Sequence, residues 1–401
     1  MTAGSDSGTV FVVAESFERP NSGGRIRSLG IATALASLGP LEVLALDDTA
    51  RDDEWGEACR AFDRRGHVLR LRVTDRLRGA VAGNLRLLER MTAAGGVASF
   101  DAVLGRVDAS AVVLSVPFFG GFVSAARARG MLVIADAHES LVRANWSILR
   151  SRAALPARLR AALDLQEARR FEPREYARVD QVWVASSVEQ AHFRTRLPTA
   201  DLRVIPNLAP GQGDPEPAGP ITAIGFVGSY GYAPNEEAAI ALITTIAPAI
   251  RRRVGPMDLV LIGRDPTRSM REQAGSAADV RITGTVPDAV AALRECGVLV
   301  VPLRAGAGSR IKILEAMQAG IPVVTTAAGL EGLDAQPGRE VLSAETPAEF
   351  ADAVDLLRSD SQARAALAYA ASAFVWRHHS QPSITAIVAT SLGEARQQEI
   401  S

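Results

Sequence analysis

The stretch VVPLRAGAGSRIKILEAMQAGIPVVTT, residues Val300–Thr326, decides the fold. A β-branched run ends at Pro302, a glycine-bearing loop follows at Ala305–Gly308, and a helical pattern then carries Lys312 and Glu315. A glycine ends the helical pattern and a proline opens the next apolar run, as expected at a helix C-terminus. Strand, loop, helix and strand in this order predict one βαβ unit of a parallel sheet.

The same alternation extends outward on both sides of this stretch. The predicted strands are Val10–Ala14, Glu42–Ala45, Val68–Val73, Ala111–Val116, Leu132–Ala135, Val182–Ala185, Leu202–Ile205, Ile224–Val227, Leu259–Ile262, Val280–Ile282, Val298–Val301 and Pro322–Thr325. The predicted helices are Ile26–Ser37, Leu159–Ala177, Glu236–Arg252, Asp288–Arg294, Ile311–Ala319 and Pro347–Arg358. Short apolar strands separated by helices indicate α/β sheets covered on both faces. The Pro- and Gly-rich run Ala209–Pro220 interrupts the pattern and predicts a linker between two Rossmann-like, doubly wound domains.

Composition narrows the function classes. The chain has 401 residues, 47% of them hydrophobic, which suits two domains with buried cores. A net charge of -1 argues against binding nucleic acid through a global positive field. The two cysteines, Cys59 and Cys296, are far apart, so we expect neither a disulfide scaffold nor a cysteine zinc site. With no signal-peptide pattern and no apolar run long enough to span a bilayer, we expect a cytoplasmic location.

The helix after the glycine loop is a candidate anion site. Ser309 can cap it, and a helix N-terminus offers free N–H groups and the positive end of its dipole. Arg310 and Lys312 add cations, and Glu315 could accept the hydroxyls of a ribose while the cations hold a diphosphate. An ordinary Lys–Glu surface pair three residues apart explains the spacing equally well.

Lysine usage gives a further indication. The chain contains 44 Lys plus Arg, and Lys312 is the single lysine among them. Codon bias can replace lysine by arginine wherever either residue serves, so the exception favours a position that needs a compact ammonium. Chance survival of one lysine is the alternative.

This segment resembles the donor-binding signature of retaining glycosyltransferases of family 4 (glycosyl transferases group 1), whose motif is G-G-[TS]-R-x-K-x-L-E-A-M-x-x-G-x-P-V-V. The matching residues are Gly308, Ser309, Arg310, Lys312, Leu314, Glu315, Ala316, Met317, Gly320, Pro322, Val323 and Val324. The runs FVGSYGYAPNEEA, LVLIGRDP, ITGTVPD and RVIPN are similar to family segments in the same order. The resemblance is strong from Ile221 to about Phe374 and loose before that.

The resemblance implies a GT-B fold and a set of donor contacts. Glu315 would hold the donor ribose, and Arg310 and Lys312 would lie near the diphosphate. The other donor contacts that it implies are Gly228 and Ser229 in the turn after the first strand of the domain and Val286 in the loop Val286–Asp288 against the nucleobase. Arg264 is a further candidate phosphate contact, because this chain lacks the family's Arg and Lys after that turn. Two positions depart from the family: Ala307 replaces a second glutamate that touches sugar hydroxyls, and Ser229 with Tyr230 replaces an Arg and a Lys. These departures put the sugar identity in doubt.

In the N-terminal half, two loops are candidates for the donor sugar or the acceptor. Gly23, Gly24 and Arg25 begin a helix after the first strand, where close backbone approach and free N–H groups suit a phosphate or an acceptor; mere turn geometry explains the glycines as well. Asp136 and His138 follow a strand end in VIADAHES, with Glu139 as a further candidate. The resemblance implies that His138 meets the donor sugar.

The sequence therefore predicts transfer of a sugar from a nucleotide-diphosphate donor to an acceptor that it does not identify. The resemblance implies that the anomeric configuration is retained. The predicted boundaries are 1–208 for the N-terminal domain, 209–220 for the linker, 221–375 for the C-terminal domain and 376–401 for a helix returning to the first domain. We expect no cofactor and no metal ion, because fixed cations and helix N-termini can stabilise a departing diphosphate. A nucleotide-sugar epimerase and a non-catalytic binding relative are the alternatives. The arginine-dense segment Leu141–Arg178 is either a solvated face or a patch for anionic lipid.

Overall fold

The computed structural model describes residues 8–13, 23–45, 66–68, 97–115, 121–150, 155–211, 219–275, 277–304 and 310–400. The chain divides into two compact units. The first comprises Met1–Trp146, Leu159–Leu208 and Gln381–Ser401, and the second comprises Ser147–Arg158 and Ala209–Ser380.

The first unit is built on a seven-stranded parallel sheet. Its strands are β1 (Gly8–Val13), β2 (Leu41–Ala45), β3 (Gly66–Val68), β4 (Ala109–Ser115), β5 (Leu132–Ala137), β6 (Gln181–Val184) and β7 (Leu202–Val204). Its helices, two of which cross the division between the units, are α1 (Gly23–Leu38), α2 (Val97–Leu104), α3 (Phe122–Arg127), α4 (Leu141–Arg150), α5 (Leu155–Tyr176), α6 (Ser187–Arg194) and α15 (Gln381–Ile400). The strand order is β3-β2-β1-β4-β5-β6-β7.

Alternation along the central strand β1 separates two cores. Val10 and Val12 belong to one apolar cluster, and Phe11 and Val13 belong to another. Successive side chains of a strand point to opposite faces, so both faces of this sheet are buried, as parallel sheets require. The second cluster includes Ile384, Val388 and Leu392 of α15, which packs beside α1.

The second unit is built on a six-stranded parallel sheet. Its strands are β8 (Ala223–Val227), β9 (Asp258–Ile262), β10 (Val280–Gly284), β11 (Leu299–Val301), β12 (Val323–Thr325) and β13 (Leu342–Ser343). Its helices are α7 (Ala233–Ala241), α8 (Ala247–Val254), α9 (Arg268–Ala274), α10 (Ala289–Cys296), α11 (Ile311–Gln318), α12 (Ala327–Leu330), α13 (Pro347–Ser359) and α14 (Ser361–His379). The order β10-β9-β8-β11-β12-β13 is again that of a doubly wound sheet. Two α/β sheets of this kind confirm the predicted fold class.

Several elements differ from the sequence-based expectation. The short edge strand β13 was not predicted, because two residues carry no periodicity. The single helix predicted over Glu236–Arg252 is divided by a π-helical turn, Leu242–Ile246, in which the Ala247 N–H bonds to the carbonyl of Leu242. Pro248 follows it, and since proline has no N–H to donate, the regular ladder cannot continue there.

The C-terminal helix also begins later than expected. Helix α14 continues through Trp376 to His379, and Ser380 adopts an extended conformation before α15 begins. Pro382, in the first turn of α15, has no N–H to continue the ladder from α14. The predicted domain boundaries, including this one, remain a prediction, and residues 69–73 of one expected strand and 212–218 of the expected linker lie outside the described residues. In the described part of the chain, every helix is too short or too polar to cross a lipid bilayer.

Candidate functional site

The strand order of the second unit locates a crevice. Strands β8 and β11 are neighbours, and the order of the sheet reverses between them. In doubly wound sheets, ligands bind beyond the carboxyl ends of the strands at such a switch point. Here β8 ends at the turn Gly228–Ser229, and β11 leads to helix α11 with Lys312. Of the predicted donor residues, Gly228, Ser229 and Lys312 therefore follow the two strands that meet at this switch point.

Two glycines bring the backbones of adjacent turns into contact at this place. Gly263 has a φ of +134°, and a Cβ on it would lie 1.9 Å from the carbonyl oxygen of Gly228. No other residue can occupy position 263 without moving the turn. The close approach fixes the strand-end turn that follows β8.

Asn235 connects this turn to helix α11. Its side-chain amide donates to the carbonyl of Ser229 at 2.9 Å and accepts from Lys312 Nζ at 2.7 Å. Lys312 Nζ also lies 4.6 Å from the ring centroid of the buried Phe226, a cation–π distance. Sequence reasoning missed Asn235, although the residue stands in the FVGSYGYAPNEEA run; only its contact with Lys312 reveals it.

Burial shifts the pKa of both titratable side chains on α11. Burial, with a further contribution from the nearby Arg310 charge, lowers the pKa of Lys312 to about 7, and Glu315 partly offsets this. Burial and the Asp288 charge raise the pKa of Glu315 to about 7, against the attraction of Lys312. Perturbed groups in a strand-end crevice are typical of a binding site rather than of an exposed ion pair. The ordinary surface Lys–Glu pair is therefore the weaker explanation.

Arg310 has a largely structural environment. It is buried, it is the residue that precedes α11, and its Nη2 donates to the carbonyl of Ala328 at 2.8 Å. Glu331 Oε2 lies 3.9 Å from the same nitrogen. The charge adds to the positive potential beside Lys312, while its hydrogen bond ties the start of α11 to α12. Ser309 and Ala307 lie outside the described residues.

Ser229 and Arg264 lie together at the outer side of the crevice. Arg264 Nε donates to Ser229 Oγ at 3.1 Å, and the Asp265 carboxylate lies 3.4 Å from the same hydroxyl. Asp265, which has a φ of +57°, was not predicted as a site residue. Arg264 is half exposed, so its remaining donors can reach a ligand.

The predicted nucleobase loop borders Glu315. Val286 is half-buried after β10, and Asp288 caps α10 by accepting from the N–H of Ala291 at 2.9 Å. The charge of Asp288 acts on Glu315, which places the end of this loop beside the proposed ribose contact.

In the first unit, Asp136 is the centre of a buried polar network. Arg27 donates to its Oδ1 through Nε at 2.9 Å and through Nη2 at 2.6 Å, and Ser115 Oγ donates to Oδ2 at 2.8 Å. Burial alone would raise the pKa of Asp136, but Arg27 and His138 hold it well below its usual range. Arg27 also donates to the carbonyl of Ile205 at 2.6 Å. Sequence reasoning missed Arg27 and Ser115, which carry no motif signal.

This network fixes the orientation of His138. Ser115 Oγ lies 2.6 Å from His138 Nε2, and Asp136 Oδ2 lies 3.3 Å from it. Because the single Ser115 proton goes to Asp136, His138 Nε2 must carry a proton and donate it. In the neutral ring, Nδ1 is then the atom with a free lone pair. Nδ1 faces α1, where a Cβ on Gly24 would lie 3.1 Å away.

The glycine turn therefore meets the histidine. Helix α1 begins at Gly23, and Gly24 and Arg25 follow in its first turn. All three residues are half-buried. The order of this sheet reverses between β1, which precedes this turn, and its neighbour β4, which ends at Ser115. The structure thus brings Gly24, Ser115 and His138 together at the switch point of the first unit.

Two buried carboxylates hold the segment after His138. Glu172 accepts from Ser140 Oγ at 3.0 Å and from the Val142 N–H at 3.3 Å, and Glu189 accepts from the Ser140 N–H at 3.1 Å. Burial raises the pKa of Glu172 to about 7, although these hydrogen bonds lower it in part. Through these hydrogen bonds Glu172 anchors the start of α4, three residues beyond the histidine.

Comparison with known proteins agrees with this geometry. Residues 222–360 match the family model described as Glycosyl transferases group 1. The phosphatidyl-myo-inositol mannosyltransferase of Mycobacterium leprae is 31% identical over 144 residues, which cover 34% of this chain and 37% of that protein. The matched region thus spans little more than a third of that relative.

Solved structures extend the likeness to nearly the whole chain. Anabaena HepE in complex with UDP and glucose has a TM-score of 0.63 at 15% identity, covering 96% of this chain and 99% of that one. Sucrose-phosphate synthase from Thermosynechococcus elongatus has a TM-score of 0.67 at 15% identity, covering 98% of each chain. TarM, known from S. aureus, has a TM-score of 0.70 at 10% identity, covering 97% of this chain and 98% of that one. Such identities establish a shared fold and nothing further.

The chain therefore has the GT-B fold, and its residues 222–360 resemble the glycosyl transferases group 1 family.

Proposed function

We propose that this protein is a retaining glycosyltransferase that takes a sugar from a nucleotide-diphosphate donor and transfers it to an acceptor. The observation that carries the proposal is the hydrogen-bonded connection from Ser229 through Asn235 to Lys312 across the switch point of the second unit. It joins the turn after β8 to the helix after β11, so one ligand can touch both.

The donor diphosphate would lie between these two elements. Lys312, Arg264 and the first N–H groups of α11 supply positive charge on its two sides. The pKa of Lys312 is lowered to about 7 by its burial. An arriving diphosphate would favour the ammonium form, so donor binding would take up a proton near neutral pH. The same fixed charges would stabilise the diphosphate as it departs.

The nucleoside would extend toward Glu315. A carboxylate accepts from two hydroxyls, which is what a ribose offers. Glu315 has a pKa raised to about 7 by burial and by Asp288, so positive charge on Lys312 favours its ionised, hydrogen-bond-accepting form. The loop from Val286 would cover the base. Because HepE is described in complexes with UDP and with UDP-glucose, uridine donors are the first to test here.

His138 would act on the sugar. With Nε2–H held by Ser115 and Asp136, its Nδ1 is free to accept a hydroxyl proton from the sugar, beside the glycine turn. Asp136 is fully buried, so we assign it the role of holding His138 and Arg27 rather than of touching the substrate. Gly23, Gly24 and Arg25 would bound the same pocket on the α1 side.

The last part of the proposal concerns the acceptor and the place where the protein acts. A nucleotide-sugar enzyme works where its donor is made, so we propose a cytoplasmic location with contact at a membrane surface. The mannosyltransferase relative is named for a phosphatidyl-myo-inositol acceptor, which makes lipid-linked acceptors worth including in any screen.

Thermal-shift measurements test the donor site. A panel of nucleoside diphosphates and nucleotide sugars, starting with UDP and UDP-glucose, is added to the wild-type chain and to Glu315→Gln. A ligand at 100 times its dissociation constant adds about 2.7 kcal/mol of stability. We expect a shift for at least one nucleotide in the wild type and a smaller one in the variant. An equal shift in both would remove Glu315 from the site.

Donor turnover separates the enzyme from its alternatives. A transferase is expected to release nucleoside diphosphate from its preferred nucleotide sugar. The release should be slow in water alone and faster when an extract containing acceptors is added. Binding without any release would indicate a non-catalytic relative. Conversion of the nucleotide sugar to an isomer would indicate an epimerase.

A further inference from the structure

Helix α5 carries a row of exposed leucines. Leu155, Leu159 and Leu163 are 66%, 59% and 71% exposed, among the most exposed large apolar side chains of the described residues. They are four residues apart, so they form one ridge on the helix, which we call the leucine crest. Isolated exposed leucines are common, but three in register on one helix are not explained by chance exposure alone.

The crest lies opposite the buried face of α5. Ala161, Leu165 and Ala168 are buried, and Phe171 is buried further along the same side. With 3.6 residues per turn, these positions lie on the other side of the helix from the crest. The packing of α5 therefore does not use the crest.

Arginines flank the crest on both sides. The 23 residues Leu141–Leu163 contain five arginines and no Asp or Glu, in a chain whose net charge is -1. On the helix, Arg158 lies to one side of the crest and Arg160 to the other, and both are exposed. Among the described residues, neither Arg158 nor Arg170, which continues the line of the crest, forms an ion pair. The first turn of the helix has no acidic side chain, and Arg160 lies 3.9 Å from Asp164 in the turn that follows it.

A tryptophan contacts α5 through Arg169. Trp146 on α4 is 39% exposed, and the Arg169 guanidinium of α5 lies 5.7 Å from its ring centroid. Tryptophan and arginine side chains of this kind are typical of the boundary between lipid headgroups and acyl chains.

We propose that the leucine crest, with Arg158, Arg160 and Arg170, docks on the surface of an anionic lipid bilayer. The surface of an anionic bilayer has phosphates at the headgroup level and hydrocarbon below them. An apolar ridge with cations on both sides is complementary to such a surface. Leucines would enter the acyl boundary, and arginines would bind the headgroup phosphates. The inference rests on the membrane contact included in the proposed function, but it uses no residue of the donor site, so the two can be tested separately.

Vesicle flotation tests the surface with matched variants. We expect the wild-type chain to float with vesicles of phosphatidylcholine and phosphatidylglycerol in about equal parts, to release in high salt, and to ignore phosphatidylcholine alone. Leu159→Glu/Leu163→Glu should lose flotation, while Leu356→Glu/Tyr369→Glu, which changes side chains 46% and 74% exposed on α13 and α14, should keep it. Arg158→Ala/Arg170→Ala should bind roughly 30-fold more weakly, at about fivefold per arginine. The exposed pair Arg252→Ala/Arg271→Ala is its control.

Three outcomes would overturn the proposal. The first is absence of flotation by the wild-type chain, and the second is equal flotation of the leucine variant. The third is light scattering that shows a dimer for the wild-type chain and a monomer for the leucine variant, since a second copy would then cover the crest. Circular dichroism and the UDP-induced thermal shift are measured for every variant. A retained UDP shift in a variant that no longer floats separates this surface from the donor site, and flotation of a chain that binds no nucleotide would leave the surface standing while the proposed function fails.

Discussion

At the residue scale, Lys312 is held closely by neighbouring side chains. Its ammonium lies between the Asn235 amide and the Phe226 ring, beside the charge of Arg310. An ammonium is compact, whereas a guanidinium is longer and planar. The structure thus gives a steric reason for the single lysine in a chain that otherwise uses arginine.

We therefore expect Lys312→Arg to impair turnover although the charge is kept, and Lys312→Ala to cost more. For the alanine variant we expect a loss on the order of 2–4 kcal/mol of transition-state stabilisation, as for removal of one fixed electrostatic donor. Steady-state kinetics on the two variants, after circular dichroism has shown folding, measure this. The exposed Arg252→Lys is the control and should behave as wild type. If Lys312→Arg matches wild type, the lone lysine reflects codon usage only.

At the element scale, the first turn of α1 and the strand-end His138 determine each other's position. A Cβ at position 24 would lie 3.1 Å from His138 Nδ1, closer than side chains ordinarily tolerate. The ring cannot retreat freely, since Ser115 holds Nε2 at 2.6 Å on its other side.

Gly24→Ala should therefore lower kcat several-fold by shifting the imidazole, while leaving stability unchanged or slightly higher. Alanine is favoured over glycine in helices by up to about 1 kcal/mol, so folding itself does not suffer. Thermal denaturation and steady-state kinetics are measured together. Gly39→Ala, where an added Cβ meets nothing within 4 Å, is the control and should leave kcat unaltered. Equal kcat in Gly24→Ala and wild type would show that His138 Nδ1 takes no part in turnover.

The Glu172 anchor at the start of α4 makes stability depend on pH. Burial raises the pKa of this carboxyl to about 7, so the folded chain binds the proton more tightly than the unfolded chain, whose glutamates titrate near 4.5. Unfolding then releases a proton between those pH values, and the contribution of Glu172 to stability falls as pH rises through this window.

Glu172→Gln mimics the protonated carboxyl at every pH. We expect the unfolding free energies of variant and wild type to be similar near pH 5 and the variant to gain on the order of 2–3 kcal/mol by pH 8. Urea unfolding at a series of pH values measures the difference, with Glu167→Gln on the same helix as control. A difference that stays constant from pH 5 to pH 8 would show that Glu172 titrates normally.

At the scale of the whole molecule, two doubly wound sheets each place polar residues at their own switch point. The second unit offers Lys312, Arg264 and the start of α11, which are cationic or partly positive groups. In the described ranges, no group of three or more His, Cys, Asp or Glu side chains is arranged to hold a metal ion. Such a charge distribution suits a diphosphate held by the protein itself.

We accordingly predict that activity survives a chelator such as EDTA. The fixed cations would neutralise the departing diphosphate, a task that Mg²⁺ performs where paired carboxylates bind it. Initial rates with EDTA, and with EDTA followed by an excess of Mg²⁺ or Mn²⁺, measure this. Loss of activity in chelator that either metal restores would overturn the prediction.

The sequence by itself determined the elements and their class. Apolar runs of period two and helical patterns arise from neighbours in the chain, so the βαβ unit at Val300–Thr326, both sheets and the family motif could be predicted without coordinates. The sequence did not predict the helix division at Leu242–Ile246 or strand β13. The division depends on how Pro248 is accommodated, and β13 is too short to show a pattern.

The tertiary structure alone decided which side chains meet. Lys312 and Asn235 are 77 residues apart, and Arg27 and Asp136 are 109 apart. No local pattern records such pairs, since they follow from the order in which strands join the sheet. The same holds for the titration of Lys312, Glu315 and Glu172, because a pKa shift is set by burial and by neighbouring charges that only the folded chain brings together.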